Sequence, residues 1–166
     1  VCTFHHIPTF GEYFNCDRMW EAGGAGVTDA PFLGATIKIG FLNDATGPIA
    51  VYAPGFVAAS QITLGLANTL AYSQGVQFEI IYADSGCDGT MAAAAAQTLV
   101  DAGVWGVVGA ACSGASMGAN AVLSAAGIPQ VSYASTSPAL SDATAYPSFY
   151  RVCLLYTSDA ADDGIR

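Results

Sequence analysis

The chain has 166 residues, 53% of them hydrophobic, enough for one domain with a real core. Only 10% are charged, and four Lys and Arg stand against thirteen Asp and Glu, for a net charge of −9. An acidic chain without a basic patch is a poor binder of nucleic acid or anionic membrane, and no apolar run is expected to reach the roughly 18 residues that span a bilayer.

Residue 1 is Val and no signal peptide is visible, so the chain reads as an internal fragment or a processed product. Residues 1–34 read as irregular. They mix aromatics, His5-His6, Cys2, Cys16 and the glycines Gly23, Gly24 and Gly26 without a clear period. Cys2 and Cys16 could close a short loop. A metal set of Cys2, His5, His6 and Cys16 matches no strong zinc spacing, so no metal or other cofactor is expected.

A βα rhythm begins at Ala35. Thr36 to Leu42 is a short β-branched, apolar run, as a buried strand requires. After the loop from Asn43 to Pro48, helical spacing runs from about Tyr52 to Tyr72, with Phe56, Ile62, Leu66 and Leu70 as expected core contacts. Gly75 is a plausible stop. Gln77 to Tyr82 is the second strand. An Ala-rich helix from Met91 to Ala102 ends at Gly103, and Trp105 to Ala110 is the third strand. The next helix runs from Ser113 or Gly114 to about Ala126. Gln130 to Tyr133 is the fourth strand, a short helical turn opens at Thr136-Ser137-Pro138, and Ser148 to Val152 is a last strand. Alternation at this length predicts an α/β lobe: an open parallel sheet with right-handed crossovers and helices on both faces.

The run from Cys153 to Asp162 resembles the translation of a common transposase-type sequencing adapter. Residues 153–166 are therefore expected to be an artefact, the alternative being a natural acidic tail. Native sequence is then expected to end near Val152, inside a strand, leaving the lobe truncated.

In such a sheet, ligands bind beyond the carboxyl ends of the strands. Three ends carry polar groups: Asn43 to Pro48 with Tyr52 beyond, Cys112 to Ser116, and Ala134 to Ser137. The last two lead into helix starts, where free N–H groups and the dipole favour an anion. The hydroxyls of Ser113 and Thr136 can donate to a carboxylate. A carbonyl near Ala134 can accept from an ammonium. Together these groups suit an α-amino acid. The plainer reading makes Ser113, Ser116 and Thr136 N-caps and Tyr52 a packing aromatic. Cys87 and Cys112, both at strand exits on this edge, suit a disulfide, the alternative being two buried free thiols. Catalysis finds little support. The first βα loop lacks G-x-G-x-x-G and the P-loop pattern, the glycines from Gly106 to Gly114 are wrongly spaced, and both histidines lie in the N-terminal segment.

Residues 37–152 resemble the N-terminal lobe of type I periplasmic binding proteins, specifically the branched-chain amino-acid (Leu/Ile/Val) binding family of ABC transporters. The stretches carrying the resemblance are I-K-I-G-F-L-N-D-A-T-G-P-I-A-V-Y (Ile37 to Tyr52), Y-A-D-S-G-C-D (Tyr82 to Asp88), V-V-G-A-A-C-S-G-A-S (Val107 to Ser116), G-I-P-Q-V-S-Y-A-S-T-S-P-A-L-S-D (Gly127 to Asp142) and the closing Y-P-S-F-Y-R-V. The resemblance implies a Cys87–Cys112 disulfide and ligand contacts from Tyr52, Ser113, Ala134 and Thr136. It implies a two-lobed solute-binding protein, periplasmic or extracellular, free or membrane-anchored. Such a protein holds a small amino acid or similar carboxylate between its lobes and serves an ABC permease. A receptor or sensor ectodomain of the same fold is the alternative. Tyr133 departs from the family, which has Pro or Ala there; its bulk is expected to narrow the pocket. The acid that binds the ligand ammonium lies in the second lobe of the family.

Overall fold

The structure, a computed structural model, describes residues 3–7, 11–15, 35–71 and 75–153. Two strands, β1 (Thr3–Ile7) and β2 (Gly11–Asn15), pair antiparallel as a separate two-stranded sheet. The expectation of irregular chain missed this hairpin, because neither segment shows strict alternation of apolar and polar residues. Cys2 and Cys16 lie outside the described residues, and with them any bridge or metal set they would join.

The remaining strands are β3 (Thr36–Asn43), β4 (Gln77–Asp84), β5 (Gly106–Val108), β6 (Gln130–Ser132) and β7 (Phe149–Arg151). They form one parallel sheet in the order β4-β3-β5-β6-β7. The chain winds outward from β3 to β4, then returns past β3 to build β5, β6 and β7. Its direction of winding therefore reverses between β3 and β5, and the crevice of an open α/β sheet opens at that point.

Helices cover both faces, as the apolar strands require. Leu42 of β3 and Val107 of β5 pack against α2 (Gly89–Asp101) and α3 (Ser113–Ala125) in a cluster that fully buries Leu42, Ala92, Ala96, Leu99, Ala115, Ala119 and Leu123. Each buried leucine contributes about 1.5–3 kcal/mol. The alanines bring the two helices close, and Gly118 sits directly against the backbone of Gly89. The Asp88 carboxylate caps α2, accepting from the amides of Thr90 (2.8 Å) and Met91 (2.9 Å).

On the opposite face α1 (Ala53–Ala71), entered through a 3-10 turn at Ala50–Tyr52, lies over Ile39 and Phe41 of β3 and Phe78 and Ile80 of β4. The Asn68 amide satisfies both backbone groups of Phe78, at 3.0 and 2.6 Å, which ties the helix to the sheet edge. The expected core face of this helix is corrected. Phe56 is half-buried as expected, but Ile62 and Leu66 are 67% and 63% exposed and Leu70 is 78% exposed. Phe56, Ser60, Leu64 and Ala67 line the sheet side instead. Ala50–Leu70 spans 21 residues and holds an 18-residue window of mean hydropathy 1.3, long and apolar enough by length and composition to cross a membrane. Here it packs against β3 and β4.

Candidate functional site

The rim of the sheet is built from the segments that follow β3, β4, β5 and β6 at the carboxyl ends of the strands. The loop after β3 and the turn after β4 are fastened by Asp84. Its carboxylate accepts from the Thr46 hydroxyl (2.7 Å), the Thr46 amide (3.3 Å) and the Gly86 amide (2.9 Å). Gly47, at φ +85°, lies so close to the Gly86 carbonyl that no side chain fits between the loops. Desolvation pushes the Asp84 carboxyl up, but the hydrogen bonds from Thr46, Gly86 and Ala45 outweigh it, so the group titrates below the usual carboxylate range. A depressed folded-state pKa contributes stability above the unfolded value and loses it as pH falls through the folded one. Wild type is therefore expected to lose more stability than Asp84→Asn on acidification below about pH 4. Parallel melting curves from pH 7 to pH 2 would show the gap closing, and equal pH slopes would contradict the clamp. The effect is modest, since this carboxyl is largely open to solvent.

Cys87 and Cys112 are joined in a disulfide, with Cα atoms 5.2 Å apart. The bridge links the turn after β4 to the residue that precedes α3. Cys112 stands at the N-cap of α3 without a side-chain cap, so Ser113 is the first helical residue. This corrects the N-cap reading of Ser113. Its Oγ instead accepts from the amides of Thr136 (3.2 Å) and Ser137 (3.1 Å), across the rim in the turn after β6. With both acceptor positions used, the hydroxyl keeps its own proton to donate outward. Ser116 is fully buried, bonded to the Ala110 carbonyl and to Ser135 Oγ at 2.8 Å, so it neither caps α3 nor faces solvent.

Ser113 and Thr136 thus touch, and Ala134 lies in the same turn, its amide held by Ser132 Oγ at 3.3 Å. All three are half-buried. The Thr136 segment differs from expectation in one respect. It leads into a 3-10 helix of only four residues, Pro138–Ser141, too short to carry a useful dipole. The amides of Thr136 and Ser137 are already taken by Ser113. The anion-favouring end at this rim is that of the 13-residue α3, whose first N–H groups have no intrahelical partner. Tyr52 stands at the end of the 3-10 turn, 61% exposed, with its ring 6.5 Å from Phe56. It makes no bond to Ser113, Ala134 or Thr136.

Tyr133 does not narrow the rim. Its ring stacks on Phe41 (5.6 Å, 14° between planes) and tilts against Phe56 (5.0 Å), on the α1 side of the sheet. Burial, then the nearby Asp44 carboxylate, pushes its phenol pKa up. Sequence reasoning also passed over the residues that hold the β6 turn. Ser132 and Ser135 bond the carbonyl of Ala110, at 2.7 and 3.3 Å. The Arg151 guanidinium holds the Ser137 carbonyl at 2.7 Å and the Ser141 hydroxyl at 2.5 Å. The only sequence hint was the density of serine between residues 132 and 141.

A parallel sheet of this winding order, with a disulfide-fastened helix start at its reversal point, is an open α/β lobe with its crevice there. The family profile described as receptor family ligand binding region matches residues 66–161, and the chain belongs to that family. Its fold is that of a type I periplasmic binding protein lobe. The leucine-, isoleucine-, valine-, threonine- and alanine-binding protein of Pseudomonas aeruginosa is 30% identical over 114 residues, covering 69% of this chain and 31% of the relative. The branched-chain amino acid transporter substrate-binding protein LivJ of Streptococcus pneumoniae, solved with isoleucine, superposes with a TM-score of 0.59 at 30% identity, covering 72% of this chain and 34% of that one. The leucine-binding protein LivK of Thermotoga maritima superposes at 0.60 with 23% identity, covering 72% and 33%, and supports the fold. The chain spans about a third of the length of these relatives.

Proposed function

We propose that residues 35–152 form the first lobe of a solute-binding component of an ABC transporter. The protein takes a branched-chain or similar amino acid between two lobes and passes it to a membrane permease. The observation that carries this reading is the bond between Ser113 Oγ and the Thr136 and Ser137 amides. It joins the start of α3 and the β6 turn into one rim at the reversal point. Ser113, the Thr136 hydroxyl and the first amides of α3 donate to the ligand carboxylate, the Ala134 carbonyl accepts from its ammonium, and Tyr52 closes one wall. The names of the Pseudomonas and Streptococcus relatives support the amino-acid class.

The protein acts by binding and closure, not catalysis, and uses no cofactor. Each lobe supplies only half of the contacts, so the lobe by itself binds weakly. The disulfide supports an oxidising location, periplasmic or extracellular. Residues 153–166 are adapter-derived, although the family match runs to residue 161; re-reading the gene across this junction tests that assignment. A receptor ectodomain is the second reading, favoured by the family's description. A membrane-spanning helix downstream of the second lobe would decide for it.

A thermal-shift panel on the intact protein tests the ligand class. Leucine, isoleucine and valine are expected to raise the melting temperature, while sugars and nucleosides leave it unchanged. Stabilisation by another class with no response to any amino acid would overturn the reading.

A further inference from the structure

Asp44, the residue just past β3, is fully buried, yet among the described residues it has no cationic partner. A buried carboxylate persists only where hydrogen bonds replace its water. Three groups from two distant parts of the chain do so here. Ser85 Oγ donates to Oδ1 at 2.5 Å, a short charge-assisted bond. The Cys87 amide donates to the same oxygen at 3.1 Å. The Tyr133 hydroxyl lies 3.4 Å from Oδ2 and 3.3 Å from the Leu42 carbonyl, a looser, shared contact. The carboxylate also lies against the disulfide: one oxygen and the two sulfurs all fall within 4.8 Å of one another.

We infer that Asp44 is a positioning residue for the ligand rim. Resting on the function proposed above, the chain of contacts is continuous. Asp44 orients Ser85 and the Cys87 amide. Cys87 is bonded covalently to Cys112, Cys112 precedes Ser113, and Ser113 Oγ holds Thr136 and Ser137. Without the carboxylate, the disulfide still tethers Cys87 but no longer fixes its angle of approach to β3. The first turn of α3 then loses its set orientation at the reversal point, and the Ser113 hydroxyl with it. Asp44 touches no ligand in this account; it acts through the turn it organises.

The test compares wild type, Asp44→Asn, Ser85→Ala and the double variant in the intact protein. Asn keeps the shape and one acceptor oxygen but not the charge. Alkylation is expected to find Cys87 and Cys112 still bridged in Asp44→Asn. Amide hydrogen exchange is expected to quicken at least tenfold in peptides covering residues 84–90 and 110–116, with little change in β6 or the second half of α3. The isoleucine dissociation constant is expected to rise at least tenfold, and the double variant to add little beyond Asp44→Asn. Unchanged exchange in those peptides, or one uniform acceleration across the chain, would overturn the inference, the latter because it marks only lost stability. Should Asp44→Asn fail to fold, Ser85→Ala carries the same readout: local acceleration supports the inference and none overturns it. If wild type binds no amino acid, the proposed function fails while the exchange pattern still decides the role of Asp44.

Discussion

Replacing both Cys87 and Cys112 by alanine is expected to destabilise the lobe by about 3 kcal/mol. The bridge closes a loop with a sequence separation of 25, and opening it returns that loop's entropy to the unfolded chain. Small domains are stable by only about 5–15 kcal/mol, so this is a large share. Urea unfolding should show the midpoint falling well below that of wild type, and reductant should reproduce the shift in wild type but not in the variant. Equal midpoints for wild type and variant would mean that the bridge constrains nothing that the fold does not already hold. A further effect follows at the rim: with Cys112 released, the start of α3 loses its tie to the turn after β4 and is held there by the bonds of Ser113 and Ser116 to the β6 turn and by packing on α2.

Gly118→Ala is the second large effect. A Cβ there would meet the backbone of Gly89, 2.7 Å from its carbonyl carbon and 2.8 Å from its Cα, and closer still to its oxygen. Backbone cannot rotate aside as a flexible side chain does, so α2 and α3 must separate. The Ala92, Ala96, Ala115 and Ala119 contacts that bury Leu99 and Leu123 loosen with them. Overpacking of this kind costs about 1–3 kcal/mol and occasionally more. Gly65→Ala, in the exposed middle of α1 with nothing within 4 Å, is the control. It is expected to stabilise by up to about 1 kcal/mol through helix propensity. Melting temperatures that move in the same direction for both variants would contradict the close approach of the two helices.

The strands were legible because each is a short apolar run bounded by turn residues, and β3 to β7 fall within a few residues of expectation. The packing face of α1 was not legible. Its helix is apolar on every side, so Ile62, Leu66 and Leu70 repeat at helical spacing just as Phe56, Ser60 and Leu64 do, and periodicity cannot choose between the stripes. Only the position of the sheet decides. The rim shows the same division. Ser113 and Thr136 could be proposed because strand order brings their loops to one edge. The N-cap alternative for Ser113 failed on a detail no sequence states, the direction of its Oγ. Asp44 was read only as one polar group of the loop from Asn43 to Pro48, because its partners Ser85 and Tyr133 lie 41 and 89 residues away and such bonds leave no local pattern. Tyr133 was noticed for its bulk and expected to narrow the pocket, but its ring lies on the α1 side of the sheet. Alternation along β6 would have corrected this, since Tyr133 falls on the side of Val131, opposite buried Gln130 and Ser132.

The central claim is that the Ser113 hydroxyl, locked between α3 and the β6 turn, grips a ligand carboxylate. Calorimetric titration of isoleucine into the intact protein, with and without Ser113→Ala, tests it most directly. Removing the hydroxyl takes away one donor and leaves the Thr136 and Ser137 amides without their acceptor, a loss of about 1–3 kcal/mol, so the dissociation constant is predicted to rise roughly five- to 150-fold. Isoleucine binding of equal strength in wild type and Ser113→Ala would contradict the account.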